Sequence, residues 1–207
     1  LTGTHHLLQA PVPQWLKVLS VVDSVALLIP VFAFLANVWL PIKERYQRIH
    51  DNVGAKMVFV GTIWYFLTCV QGPLQSLPSV QRLTHFTNWV IGHAHIALLG
   101  FAGFIAMGAV YYFLPRVTGR ALWSRKLAEV QYWMILIGLI AFFLILTSVG
   151  LIQGQAWING EVIYRLLPEM ALYMVLRALF GVMIVTGAVI FSVNVIMTLR
   201  RGKAVAP

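Results

Sequence analysis

Long apolar runs alternate with short polar breaks along the whole chain. They divide it into five segments, at 15–40, 57–77, 89–114, 130–152 and 170–199. Each reaches or exceeds the roughly 20 apolar residues that cross a bilayer as a helix. The pattern predicts an all-α integral membrane protein: one helical membrane domain over residues 1–207 with five transmembrane helices. Pro11, Pro13, Pro41, Pro78, Pro115 and Pro168 are expected to mark segment ends, and Pro30 to kink the first segment. Trp15, Trp89 and Trp157 fall near one side of the bundle, where interface anchors would sit.

Composition sharpens this. The chain is 60% hydrophobic and 10% charged, with mean hydropathy +0.83, whereas soluble domains carry roughly 25% charged residues. That excludes an ordinary soluble domain and a disordered chain. The single cysteine, Cys69, excludes an internal disulfide and is expected to be a small buried apolar group. The net charge of +9 would suggest nucleic acid in a soluble protein, but the charges fall in short loops, so no nucleic-acid partner is expected. Lys43, Arg45, Arg48 and Lys56 follow the first segment. Arg116, Arg120, Arg125 and Lys126 follow the third, and Arg200, Arg201 and Lys203 follow the fifth. Threaded alternately, all eleven lie on one side, which the positive-inside rule makes cytoplasmic, with the C-terminus there and the N-terminus outside. No signal peptide is visible before the first segment, and the opening Thr2-Gly3-Thr4-His5-His6 run is expected to continue from something larger.

The histidines carry the candidate chemistry. Five of the six fall toward the outer side: His5, His6, His85, His93 and His95. The sixth, His50, reads as a solvated loop residue. In Gly92-His93-Ala94-His95, two residues of helix turn the second imidazole about 200° from the first, with a rise of about 3 Å. The rings then point to opposite faces at one depth. They are poorly placed to share one metal and well placed to hold two flat cofactors, one per side, with haem the natural candidate. The competing reading is a pair of buried histidines bonded to neighbouring helices. His5-His6 can share a copper, zinc or iron ion if a third ligand comes from elsewhere, or can be a plain surface pair.

Several runs together resemble subunit I of the heme–copper oxygen reductases. They are His5-His6 followed by Pro11-Val12-Pro13, the Gln71-Gly72-Pro73 turn, and Thr84 through His95. Tyr111-Tyr112-Phe113-Leu114-Pro115-Arg116 and Tyr173-Met174-Val175-Leu176-Arg177 also fit. The resemblance is nearest to the C-family, cbb3-type cytochrome c oxidases, kin to the nitric oxide reductases. It implies the C-terminal portion of a twelve-helix-type bundle. It further implies that His5 and His6 ligate the copper called CuB, that His93 is the axial ligand of a high-spin b-type haem, and that His95 is one axial ligand of a low-spin haem b. His85 and Arg177 are candidates for the haem propionates. Arg177 could instead pair with Asp23 or Glu169, and Asp23 and Gln71 could join an outer polar network or bond local backbone. The implied partners are the missing N-terminal helices, cytochrome c-type electron donors, lipid and dioxygen. The implied setting is a bacterial or archaeal cell membrane, and the implied activity is reduction of dioxygen to water coupled to proton uptake. Gln71 stands where many cbb3-type sequences carry Glu, which leaves room for a nitric oxide reductase with non-haem iron in place of copper. A non-catalytic haem-binding or structural membrane protein is the reading of another class.

Overall fold

The computed structural model describes residues 4–44 and 46–204; Arg45 and both extreme termini lie outside the described residues. Five helical segments are long and apolar enough to cross a membrane: Gln14–Ile42, Val53–Ser76, Asn88–Thr118, Arg125–Ile158 and Ile163–Arg201. The five expected spans are therefore present, but longer than hydropathy alone suggested.

A 3-10 turn at Thr4–Leu7 leads into the first span, which consists of α1 (Gln14–Ala26) and α2 (Leu28–Trp39). The break falls at Leu27, three residues before Pro30. Pro30 has no N–H to offer the Ala26 carbonyl, and its ring crowds that carbonyl. A short α3 (Tyr46–His50) follows, and then α4 (Val53–Ser76), which starts where the Asn52 side chain accepts from Ala55 N at 3.1 Å. Gln71-Gly72-Pro73, expected as a turn, lies inside α4. Pro115 and Pro168 likewise lie inside helices rather than at their ends. A short α5 (Pro78–Thr84) fills the expected loop before the third span.

The third span is not one regular helix. It is α6 (Asn88–His95), then an eight-residue π-helical stretch at Ile96–Gly103, then α7 (Phe104–Thr118). Such wider turns concentrate at functional sites, and this one begins directly after His95. Helices α8 (Arg125–Ile158) and α9 (Ile163–Arg201) complete the bundle.

The core is built by α4, the third span and α8, around Met57, Trp64, Ile96, Phe104, Ile135 and Leu139. Glycines allow the closest approaches, as at interfaces between spans. A Cβ on Gly100 would meet the Trp64 ring at 2.7 Å, and one on Gly150 would strike the Trp89 backbone. These contacts pin the N-terminal half of the third span between α4 and α8. By contrast, α9 exposes Leu172, Val175, Leu179, Val182, Val185 and Val189, an apolar face suited to lipid or further helices.

Candidate haem and metal centre

The histidine end is built by the Thr4–Leu7 turn, α1, α4, α5, α6 and α8. Thr87 caps α6 by accepting from Trp89 N at 3.2 Å. Gln153 of α8 accepts from both Asn88 N and Asn88 Nδ2 at 3.0 Å. Together these fix where α6 begins and hence the depth of His93 and His95. Gln153, just past the fourth apolar segment, lies within α8, and Gly154 beside it packs on the Leu83 carbonyl.

His93 lies on the α4 side of α6. Its Nδ1 is 3.1 Å from Gln71 Oε1. Its ring stacks on Trp89, one turn earlier, at 5.6 Å and 8°. Trp89 is buried, so it is a stacking partner rather than an interface anchor; Trp15 is exposed as an anchor would be. Gln71 bonds a site histidine across helices, not local backbone.

His95 points the other way, toward α8. Its Nδ1 is 2.7 Å from the Ile91 carbonyl, and its ring lies 4.8 Å from Phe142. A carbonyl oxygen only accepts, so Nδ1 carries the proton in both rings and the lone pair of each neutral imidazole sits on Nε2. No hydrogen bond among the described residues reaches either Nε2. Metal-ligating histidines are commonly held this way, with one nitrogen donating to a carbonyl and the other facing the ion.

His5 has the same polarity. Its Nδ1 is 2.8 Å from Ser24 Oγ, and Ser24 donates its only hydroxyl proton to the Ser20 carbonyl at 2.7 Å. The Ser24 oxygen must therefore accept from His5, which again puts the ring's lone pair on Nε2. The His5 and His6 rings are 4.3 Å apart and tilted by 44°. Both lie within electrostatic reach of His93, and His6 also reaches His85.

His85 is arranged differently. Gln81 Nε2 lies 3.3 Å from the His5 carbonyl and 3.0 Å from His85 Nδ1. Only the amide NH2 can face a carbonyl oxygen, so His85 Nδ1 accepts and its Nε2 carries the proton. Burial, and then the nearby His6, hold His85 below the usual histidine range. A neutral ring that keeps its Nε2–H suits donation to an anion. The chain reverses after it through Phe86, at φ +62°.

The other expected residues are placed as follows. His50 is exposed beside Asp51, solvated as expected, but it ends the short α3 rather than lying in a loop. Arg177 makes no ion pair with Asp23 or Glu169 among the described residues, so that alternative is not realised. It is half-buried, one turn before Gly181, whose Cβ would lie 3.8 Å from the Phe142 ring beside His95. That places Arg177 on the His95 side, toward the histidine end. The Asp23 side chain makes no hydrogen bond among the described residues. Cys69 is only partly buried.

The donor set fits haem on each side of α6: the His93 and His95 rings lie on opposite sides, with an arginine on the His95 side and a donor histidine, near His6, on the other. For copper the fit is partial. No group of three His, Cys, Asp or Glu side chains converges on a metal among the described residues, and His5 and His6 supply two donors.

Residues 1–183 match the family described as Cytochrome C and Quinol oxidase polypeptide I. The chain belongs to that family. It is 31% identical over 205 residues to a cytochrome c oxidase subunit 1 homolog of Agrobacterium tumefaciens, covering 95% of this chain and 38% of the relative. It is 26% identical to the Cbb3-type cytochrome c oxidase subunit CcoN1 of Stutzerimonas stutzeri, with 97% and 44% coverage. It is 28% identical to a nitric oxide reductase chain of the same species, with 92% and 43% coverage. A solved heme-copper terminal oxidase dimer superposes with a TM-score of 0.80 at 19% identity, over 98% of this chain and 40% of that one. The chain thus spans about two fifths of the length of these relatives, and its helices take the heme–copper oxidase subunit I fold.

Trp89, Ser24, Gln81 and Phe142 were not singled out as site residues from sequence. Trp89 could have been, since it precedes His93 by four residues on one helix face. Ser24 lies 19 residues from His5 on another element, and nothing in the sequence links them.

Proposed function

We propose that this chain supplies the ligand-bearing helices of a cbb3-like oxidase subunit. In this reading His93 ligates a high-spin haem, His95 a low-spin haem b, and His5 with His6 the CuB copper. A third copper ligand and the second low-spin ligand come from helices absent from this sequence. The observation that carries the reading is the shared polarity of His5, His93 and His95, each with Nδ1 tied down and the lone pair on Nε2. When bound, the haems and copper supply the electron transfer that reduces dioxygen to water.

The chain's own residues orient that chemistry. Gln71 and Trp89 fix the plane of the His93 ring, and the Ile91 carbonyl and Phe142 fix His95. Ala94 holds the two ligands on one rigid turn, so the separation of the centres is set by helix geometry. Ser24 directs His5 Nε2 away from α1. His85 donates from Nε2, and Arg177 offers a guanidinium, to the propionates on their respective sides; a propionate in low dielectric needs such a partner. The histidine end faces outward and the basic end, with the C-terminus, faces the cytoplasm of a bacterial or archaeal cell. Cytochrome c-type subunits deliver the electrons.

The nitric oxide reductase reading is favoured by two observations: the similarity to the Stutzerimonas reductase, and the neutral Gln71 against His93. Metal analysis of the assembled complex separates the two. One copper per two haems is the expected result, and non-haem iron in place of copper would overturn the oxidase reading. Absence of Soret absorbance in an assembled complex would overturn both in favour of a non-catalytic protein.

A further inference from the structure

The end of the bundle opposite the histidines holds a cavity of about 350 Å³ between the start of α4, the end of α7 and the start of α8. Arg116 and Arg125 line it from the α7 and α8 sides, with Tyr111 and Leu122 as part of its wall. Two carboxylates also border it. Glu129 is bound to Lys56 at 2.6 Å, so it adds no net charge. Asp51 is exposed at the rim, beside His50. Two guanidiniums thus face one carboxylate that has no Lys or Arg partner among the described residues.

Arg116 is pre-set. One of its terminal nitrogens donates to the Tyr112 carbonyl at 2.6 Å, and its guanidinium lies 3.6 Å over the Tyr112 ring. That stack leaves most of its donor fork unspent. Arg125 makes no hydrogen bond or ion pair among the described residues. The first turns of α4 and α8 also open on this cavity, which adds partial positive charge. Tyr112, under the Arg116 fork, is also a wall of a second cavity of about 280 Å³, lined by Val38, Ile42, Val58 and Phe59. A polar, cationic cavity and an apolar one therefore flank the Tyr112–Arg116 stack, at the basic end of the bundle.

We infer that this pair of cavities is a binding site for one anionic phospholipid. The phosphate sits between Arg116 and Arg125, and an acyl chain lies in the cavity walled by Val38, Val58 and Phe59. Guanidinium matches phosphate with paired donors, and the apolar cavity supplies what a free phosphate has no use for.

The test uses the assembled complex, in nanodiscs of phosphatidylcholine doped with phosphatidylglycerol, with lipid retention after detergent washing read by native mass spectrometry. Each basic residue near a charged membrane surface is worth about 1 kcal/mol, so removing two corresponds to a fold-change of roughly 30. The Arg116→Gln/Arg125→Gln variant is expected to lose one tightly held phosphatidylglycerol by about that factor, with haem spectra unchanged as the check on folding. The Arg116→Lys/Arg125→Lys variant is expected to fall between the two. Arg200→Gln/Arg201→Gln, at the same end but outside the cavity, is expected to retain the lipid. Equal loss in that control, or undiminished retention in the first variant, would overturn the site. Displacement of phosphatidylglycerol by inorganic phosphate at equal concentration would overturn the lipid in favour of a free phosphate. A Phe59→Arg substitution that left retention intact would overturn the acyl cavity.

Discussion

The two ends of this bundle both bury polar side chains and use them in opposite ways. At the basic end the bonds close on themselves. Asn194 accepts from Ser124 N at 3.1 Å and donates to the Ser124 carbonyl at 2.9 Å, while Thr198 accepts from Trp123 N at 3.0 Å. Those contacts saturate the chain entering α8 and lock it to α9. At the histidine end, beside the cap bonds that start α6, a second set of bonds fixes one ring nitrogen each and so decides the role of the other. Gln71, Ile91 and Ser24 each engage an Nδ1, and the lone pair falls to Nε2. Polar groups that saturate backbone are holding a fold, whereas groups that engage one nitrogen of an imidazole are aiming it.

The widest gap between the ends is expected at Gly150. A Gly150→Val side chain must displace the Trp89 backbone, so α6 would leave α8. A destabilisation of about 3 kcal/mol is expected from such overpacking, with loss of both haem signals. Retention of both signals would show that the α6–α8 contact does not set the site.

Asn194→Ala acts at the basic end. It would leave the Ser124 N–H and carbonyl without their buried partner, at a cost of about 2 kcal/mol. Denaturant unfolding of the assembled complex should report that loss while its haem spectra stay unchanged.

At Ser24 the effect is local. Ser24→Ala removes the acceptor that directs His5, and outer partners of metal ligands are worth roughly 10- to 100-fold in metal affinity. Copper content should fall with fold stability nearly unchanged, and Ser24→Thr should restore it. Normal copper in the alanine variant would make Ser24 a packing residue.

The smallest effect is a pH dependence. His85 titrates below its unfolded value near 6.5. Below that value the unfolded chain binds the proton and the folded one does not, so stability is full at neutral pH and declines as pH falls through about 6.5. His85→Gln should flatten that decline in a pH series of unfolding midpoints.

How much of this was legible in the sequence follows from which physical signal each feature leaves. Five spans follow from hydropathy, and the opposite aim of His93 and His95 follows from helix rotation alone. Helix extents did not follow. Pro73 and Gly72 read as a turn in water, yet α4 runs through them; in a bundle, neighbouring groups can meet the backbone a proline frees. Gln153 falls outside the fourth apolar segment, yet it lies within α8 and its polarity is spent on Asn88 inside the fold. The π-helical stretch after His95 has no hydrophobic signature, since residues 96–103 are almost uniformly apolar or small. The links from Ser24 to His5 and from Gln81 to His85 depend on which elements pack together, and only the fold contains that.

In the proposed site, His93 and His95 address two separate cofactors from opposite faces of one short helix. The most direct test is the optical and EPR spectrum of an assembled complex carrying His95→Ala. The low-spin haem signal is expected to vanish while the high-spin signal remains. Loss of both signals in a folded complex, or survival of the low-spin signal, would contradict it.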